Sequence, residues 1–272
     1  MKRLLLLVAL ATIPAFGQLV PFGSYETSIG HVHLGVTDLD AQRTFWTEIM
    51  GGKIVKNGPL ELIEFPGIYI MLRKVDKVES SVGSVFDHFG FIVRDFPAEE
   101  AKWKARGYKV EPTQNPNESY VFGPDGVKVE VFGETSLAVP IQFYHYHLYP
   151  SQEDIPKMQE WYVKVLGGTK SIRPCIACVA KPSWTPIANF PGGNVTFSPT
   201  AKTLVPSKGR SIDHAGFEVK NLEAAVKRLE AQGIKLDEPV RQVPNTNLKV
   251  AFLTDPWGVR IELTENLTPA KH

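Results

Sequence analysis

The chain has 272 residues, 43% of them hydrophobic and 22% charged, with a formal net charge of +1. That length allows two domains of ordinary size, and the composition is that of a globular protein. So balanced a charge gives no electrostatic case for nucleic acid or an anionic membrane as partner.

The N-terminus has its own pattern. Met1-Lys2-Arg3 is positively charged, Leu4 to Ile13 is a short apolar run, and Ala15-Phe16-Gly17 places small residues before Gln18. This predicts a signal peptide over residues 1–17, removed on export, and a mature protein that is periplasmic or secreted with no membrane segment left.

After a linker, a strand is expected from Gly30 to Val36, then a helix from Asp38 or Asp40 to Met50, ended by Gly51-Gly52. Strands at Lys53 to Lys56, Leu60 to Phe65 and Ile68 to Arg73 complete a βαβββ unit. A second unit runs from Val85 to Phe132, and Ser136 to Pro140 marks a boundary. A third runs from Gln142 to about Ser198, with an irregular loop from Ile172 to Ile187. The fourth begins at Ser211 and ends near Asn266, and it shows the pattern most clearly. Its first strand alternates Ala215, Phe217 and Val219 on one face with His214, Gly216 and Glu218 on the other. Asn221 then caps a helix with apolar Leu222, Ala225, Val226 and Leu229 at helical spacing. In the last strand, Ile261 and Leu263 face opposite to Glu262.

The units repeat. SVFDHFGFIVRD at Ser84 matches SIDHAGFEVKN at Ser211, and GPDGVKVEVFGE matches DPWGVRIELTEN, so that His88 stands for His214 and Glu130 for Glu262. The other two units share His-x-His-Leu, at His31 and His145, and FWTEIMGG against WYVKVLGG. The expected fold is α+β, with paired βαβββ modules in two tandem domains at residues 28–135 and 141–266.

Each half therefore carries the parts of a two-histidine, one-carboxylate site: His31, His88 and Glu130 in one, His145, His214 and Glu262 in the other. Neutral imidazole and carboxylate suit Fe(II), Mn, Zn or Ni, and three protein ligands leave positions open for a small-molecule substrate or water. His33 and His147 lie two residues on, hence on the same strand face. They are candidates for a proton shuttle or a supporting role, and His147 competes with His145 as ligand. Cys175 and Cys178 are expected to form a local disulfide in the prolyl loop, with free thiols as the alternative.

HVHLGVTDLDAQRTFW, DHFGFIVRD, DHAGFEVKNL, PDGVKVEVF and TDPWGVRIELTE together resemble the vicinal oxygen chelate superfamily, which includes glyoxalase I, extradiol dioxygenases and bleomycin-resistance proteins. The resemblance implies a cavity wrapped by paired modules and lined by a divalent metal. In two-domain extradiol enzymes the C-terminal pair holds iron, through residues matching His145, His214 and Glu262. Such enzymes carry an acidic tyrosine about ten residues before the metal Glu; Tyr120 fits this before Glu130, whereas Phe252 stands before Glu262. Glyoxalase I takes a second carboxylate from strands that here read GIYIML and GNVTFS, without one. The function expected is a metal-dependent dioxygenase or isomerase acting on vicinal oxygens; the competing expectation is a metal-free small-molecule binding protein.

Overall fold

The first module runs β1 (Thr27–Val36), α1 (Leu39–Thr44) with a wider helical turn continuing it over Phe45–Ile49, β2 (Lys53–Asn57), β3 (Leu60–Phe65) and β4 (Ile68–Lys74). The second has β5 (Phe86–Val93), α2 (Phe96–Ala105), β6 (Lys109–Pro112), β7 (Glu118–Phe122) and β8 (Lys128–Gly133). The third has β9 (Ile141–Leu148), α3 (Ile155–Leu166), β10 (Thr169–Pro174), β11 (Trp184–Phe190) and β12 (Gly193–Phe197). The fourth has β13 (Ile212–Val219), α4 (Leu222–Ala231), β14 (Glu238–Gln242), β15 (Lys249–Thr254) and β16 (Arg260–Glu265). This computed structural model describes residues 19–24, 26–174, 183–203 and 205–269. The expected signal peptide and the cysteine pair at 175 and 178 lie outside the described residues. Among those described, no helix is long and apolar enough to cross a membrane.

Local chemistry sets the elements. Asp38 caps α1 by accepting from the amides of Asp40 and Ala41, Asp95 caps α2 from Ala98, and Asn221 caps α4 from Ala224. Each helix lays its apolar side on a sheet: Trp46, Trp103, Tyr162 and Leu229 are buried in one core with Phe89, Phe91, Phe217 and Ile261. Truncating a tryptophan in such a core costs about 3–5 kcal/mol. One sequence expectation is revised here. The loop foreseen from Ile172 is shorter, because β10 and β11 pair as far as Pro174 with Trp184. β10 is a sheet edge, where Pro174 need not donate to a ladder.

The larger correction concerns which modules pair. The sheets are not closed within each half. One has the order β14-β15-β16-β13-β1-β4-β3-β2, the other β10-β11-β12-β9-β5-β8-β7-β6. Module one therefore shares a sheet with module four, through antiparallel β1 and β13. Modules two and three share the other, through antiparallel β5 and β9. The reason lies in the repeat itself. All four modules present similar first strands, so alternation and spacing leave the partner unspecified. The short connection from Glu134 to Pro140 then keeps module three beside module two.

Candidate metal centres

Strand register builds two sites of the same plan. In the sheet of modules one and four, His33 stands opposite His214, and His31 opposite Gly216. Gly216 in turn stands beside Glu262 on β16. In the other sheet, His147 stands opposite His88, His145 opposite Gly90, and Gly90 beside Glu130. Two clusters of potential ligands result: His31, His33, His214 and Glu262 in what we call site A, and His88, Glu130, His145 and His147 in site B. Within each cluster the candidate ligand atoms lie within 4.8 Å of one another.

All the histidines and glutamates singled out in the sequence are thus in these clusters, but not in the grouping expected. His145 does not meet His214 and Glu262; it meets His88 and Glu130. His31 does not meet His88 and Glu130; it meets His214 and Glu262. The physical cause is the crosswise pairing of modules. The same register shows that His145 and His31 are equivalent, as are His147 and His33.

The glycine between the two histidine strands makes room for the ligand. A Cβ on Gly90 would lie 2.4 Å from Cε1 of His145, and one on Gly216 would lie 2.0 Å from Nδ1 of His31. Any side chain there would displace the imidazole. Behind each first histidine of β5 and β13 stands an aspartate that the sequence reading passed over. Asp87 Oδ1 is 2.7 Å from His88 Nδ1, and Asp213 Oδ1 is 2.6 Å from His214 Nδ1. Each aspartate also accepts a backbone amide, from Gly83 or Gly209, and pairs with a cation, Lys128 or Arg260, at 3.0 Å. These contacts hold both carboxyls below their ordinary range although burial opposes it. With Nδ1–H donated outward, Nε2 of each ring presents a lone pair to the site. The repeated Asp-His pair in DHFGF and DHAGF was the signal available for this.

In site B, Glu130 Oε2 lies 2.9 Å from His145 Nε2, 3.4 Å from His88 Nε2 and 3.5 Å from His147 Nδ1. None of these four atoms is aligned for a hydrogen bond, and all are buried. A buried carboxylate oxygen ringed by three unpartnered imidazole nitrogens fits the donor set of a divalent cation better than a finished hydrogen-bond network. Burial pushes the His145 imidazole down to about 4 and the His147 imidazole to about 3, so both are neutral and fit to ligate. Burial raises Glu130, yet the three imidazoles outweigh it and hold the carboxyl well below its usual range. In site A, Glu262 Oε2 lies 2.8 Å from His214 Nε2 and 2.9 Å from His31 Nε2. There His31 Nδ1 and His33 Nδ1 are the buried atoms without partners.

The walls of the two sites differ. Beside Glu130, Tyr120 donates its hydroxyl to Oε1 at 3.0 Å; the matching position beside Glu262 is Phe252. Asn194 and Thr196 flank His145 and His147, where Tyr69 and Met71 flank His31 and His33. Neither pair supplies the second carboxylate of a glyoxalase I set. Tyr149 stacks on His147 at 4.7 Å, and His147 Nε2 meets Ser198 Oγ at 2.8 Å. Glu118 lies on the same face with both carboxylate oxygens unpartnered, and burial, then the charge of Glu130, pushes it up to about 8. Site A is instead bordered by a second apolar cluster of Leu62, Tyr69, Leu248, Val250, Phe252 and Leu267, in which Tyr69 flanks His31 and Phe252 packs edge-on against His214 at 5.4 Å.

The profile of the Glyoxalase/Bleomycin resistance protein/Dioxygenase superfamily matches residues 28–131 and 147–263. The chain belongs to this superfamily. Glyoxalase I from Zea mays has the same fold at a TM-score of 0.68 and 18% identity, over 88% of this chain and 92% of that one. Its V278E mutant gives 0.69 at 18% identity, over 88% and 92%. A protein from Bacillus subtilis subsp. subtilis str. 168, assigned provisionally as a dioxygenase, gives 0.62 at 15% identity, over 88% and 85%. At these identities the likeness is one of fold. Comparison with curated proteins gave no match.

Proposed function

We propose that the protein is an exported, metal-dependent enzyme of this superfamily, and that site B is its reactive centre. The observation that carries this is the ring of buried, unpartnered ligand atoms around Glu130 Oε2, with the Tyr120 hydroxyl on the other carboxylate oxygen. His88, His145 and Glu130 would hold the metal. When bound, the ion would supply Lewis acidity and a template for two adjacent oxygens of a small substrate. Asp87 keeps His88 turned inward, and Tyr120 fixes the plane of the Glu130 carboxylate. His147 is neutral and touches Ser198, so it can complete the ligand set or take a proton from a substrate hydroxyl at Nδ1. Tyr120 beside the ligand glutamate favours a dioxygenase-like or isomerase-like reaction over the glyoxalase I pattern. Export to the periplasm or beyond is supported by the charged, apolar and small-residue succession over residues 1–17.

The test is metal analysis of the purified full chain together with Glu130→Ala and Glu262→Ala. The proposal requires a bound divalent ion that Glu130→Ala removes, and oxygen uptake or isomerisation with vicinal-oxygen substrates that disappears with it. A protein that binds no divalent ion at site B, or that works equally well after Glu130→Ala, is not the enzyme described.

A further inference from the structure

One cation at site B makes no ion pair within 4.0 Å among the described residues; the carboxyl its charge acts on there is that of Glu118. Arg173, near the end of β10, is partly buried, and its one hydrogen bond among the described residues is a long one, from Nη2 to Thr196 Oγ1 at 3.4 Å. Its Nε is buried without a partner. The guanidinium lies over two rings, 5.3 Å from the centroid of Tyr144 and 5.9 Å from that of Phe132. Those same rings touch the ligand histidine: Tyr144 is 5.3 Å and Phe132 5.9 Å from the His145 ring. Thr196, its hydrogen-bond acceptor, flanks His147. The arginine therefore shares both of its rings with a ligand histidine. Its planar face is used by the two rings, and its N–H edge is left largely unused.

Site A offers a control within the same molecule. Arg173 pairs with Thr185 where Asn57 pairs with Leu60 in the related hairpin. Asn57 Nδ2 donates to the carbonyls of Asn266 and Leu267, both at 2.9 Å, so the corresponding position is closed by the chain's own C-terminal segment. The arginine side has no such cover among the described residues.

We infer that Arg173 is the specificity-determining residue of site B, and that the substrate carries a carboxylate in addition to the two oxygens that meet the metal. A guanidinium with a free edge in a partly dry site recognises a carboxylate by paired N–H bonds. Thr196 sets the plane of the fork, and Tyr144 and Phe132 set its height. The inference rests on the proposed function, in which the metal is the other anchor.

Calorimetric titration of the zinc-loaded full chain tests it, with protocatechuate as the carboxylated probe and methylcatechol as its uncharged counterpart. Zinc content is measured on every sample. The wild type should bind protocatechuate at least about tenfold more tightly than methylcatechol, the scale of one charge-assisted hydrogen bond. Arg173→Gln should bring the two affinities together by weakening protocatechuate alone. Arg173→Lys should keep part of the preference, through charge without the fork. A merely structural arginine would lower both affinities alike, and that result overturns the inference. So do the absence of a preference in the wild type, a preference that survives Arg173→Gln, and failure of both probes to bind. If zinc stays bound while the preference is missing, the inference alone has failed. If no sample holds zinc at site B, the metal-enzyme reading has failed.

Discussion

Sites A and B have one skeleton and two linings. In both, two histidines from one strand, a histidine backed by aspartate from its neighbour and a glutamate from a third strand converge over a glycine. Around that skeleton site B carries Tyr120, Glu118, Thr196 and Arg173, and site A carries Phe252, Val250, Met71 and Asn57. Backbone register preserves ligands, whereas the side chains facing a substrate vary freely, so the skeleton tells of metal and the lining tells of use. On the function proposed above, site A would be a metal or hydrogen-bonded strut and site B the working centre.

The strongest way to break the comparison is to remove each glutamate in turn. Glu130→Ala should lower turnover on the order of a thousandfold, as loss of a main electrostatic group does. Glu262→Ala should leave turnover within about threefold while lowering the metal count, by roughly the small effects expected at a distance from the chemistry. Paired assays of metal content and initial rate decide this, and a reversed order would make site A the reactive one.

The packing of the C-terminal segment against β13 predicts a pH effect. Glu218 on β13 is buried and accepts from Thr264 Oγ1 and the Leu267 amide. Burial pushes its carboxyl up to about 7 from an ordinary 4.5. The folded chain then holds this proton more tightly than the unfolded one. The resulting stability is complete below pH 4.5, declines as pH rises, and is lost above about 7, to the extent of about 3 kcal/mol. Glu218→Gln, neutral throughout, should lack this decline. Urea unfolding at pH 5 and pH 8 should show the variant gaining on the wild type at the higher value; equal differences at the two pH values would contradict the raised proton affinity of buried Glu218.

Gly90→Ala and Gly216→Ala sharpen the equivalence of the two skeletons. Each methyl would enter the space of a ligand imidazole, and overpacking of this kind costs about 1–3 kcal/mol. Thermal unfolding should show similar losses for both, yet only Gly90→Ala should also remove activity. The mildest change is Tyr120→Phe, for which turnover should fall about tenfold with metal content kept, the effect of losing one support to a ligand. Phe252→Leu in site A should leave turnover unchanged in the same assay.

Much of this was legible in the sequence. Alternation along His214 to Val219 gave the site-facing and core-facing residues, and the repeat gave all six principal ligand candidates and the superfamily's modules. Two things escaped, for a common reason. The partner of each module is a long-range choice among similar strands, and periodicity is a local property. The aspartates at 87 and 213 carry no signal in periodicity, because their role depends on a neighbouring ring's orientation. That Tyr120 and His145 serve one site, though they come from different halves, follows only from the antiparallel pairing of β5 with β9.

That pairing has a consequence for how the chain can be divided. A cut in the connection from Glu134 to Pro140 would separate two pieces of similar length, each carrying an incomplete share of both centres. The first would keep His31, His88 and Glu130, the second His145, His214 and Glu262, and β1, β5, β9 and β13 would all lose their partners across the cut. Two such pieces have no finished sheet and no finished site until they meet, and strands so exposed favour exchange with any identical copy. The molecule is tandem in its sequence and interlocked in its assembly, each repeat supplying half of both sheets.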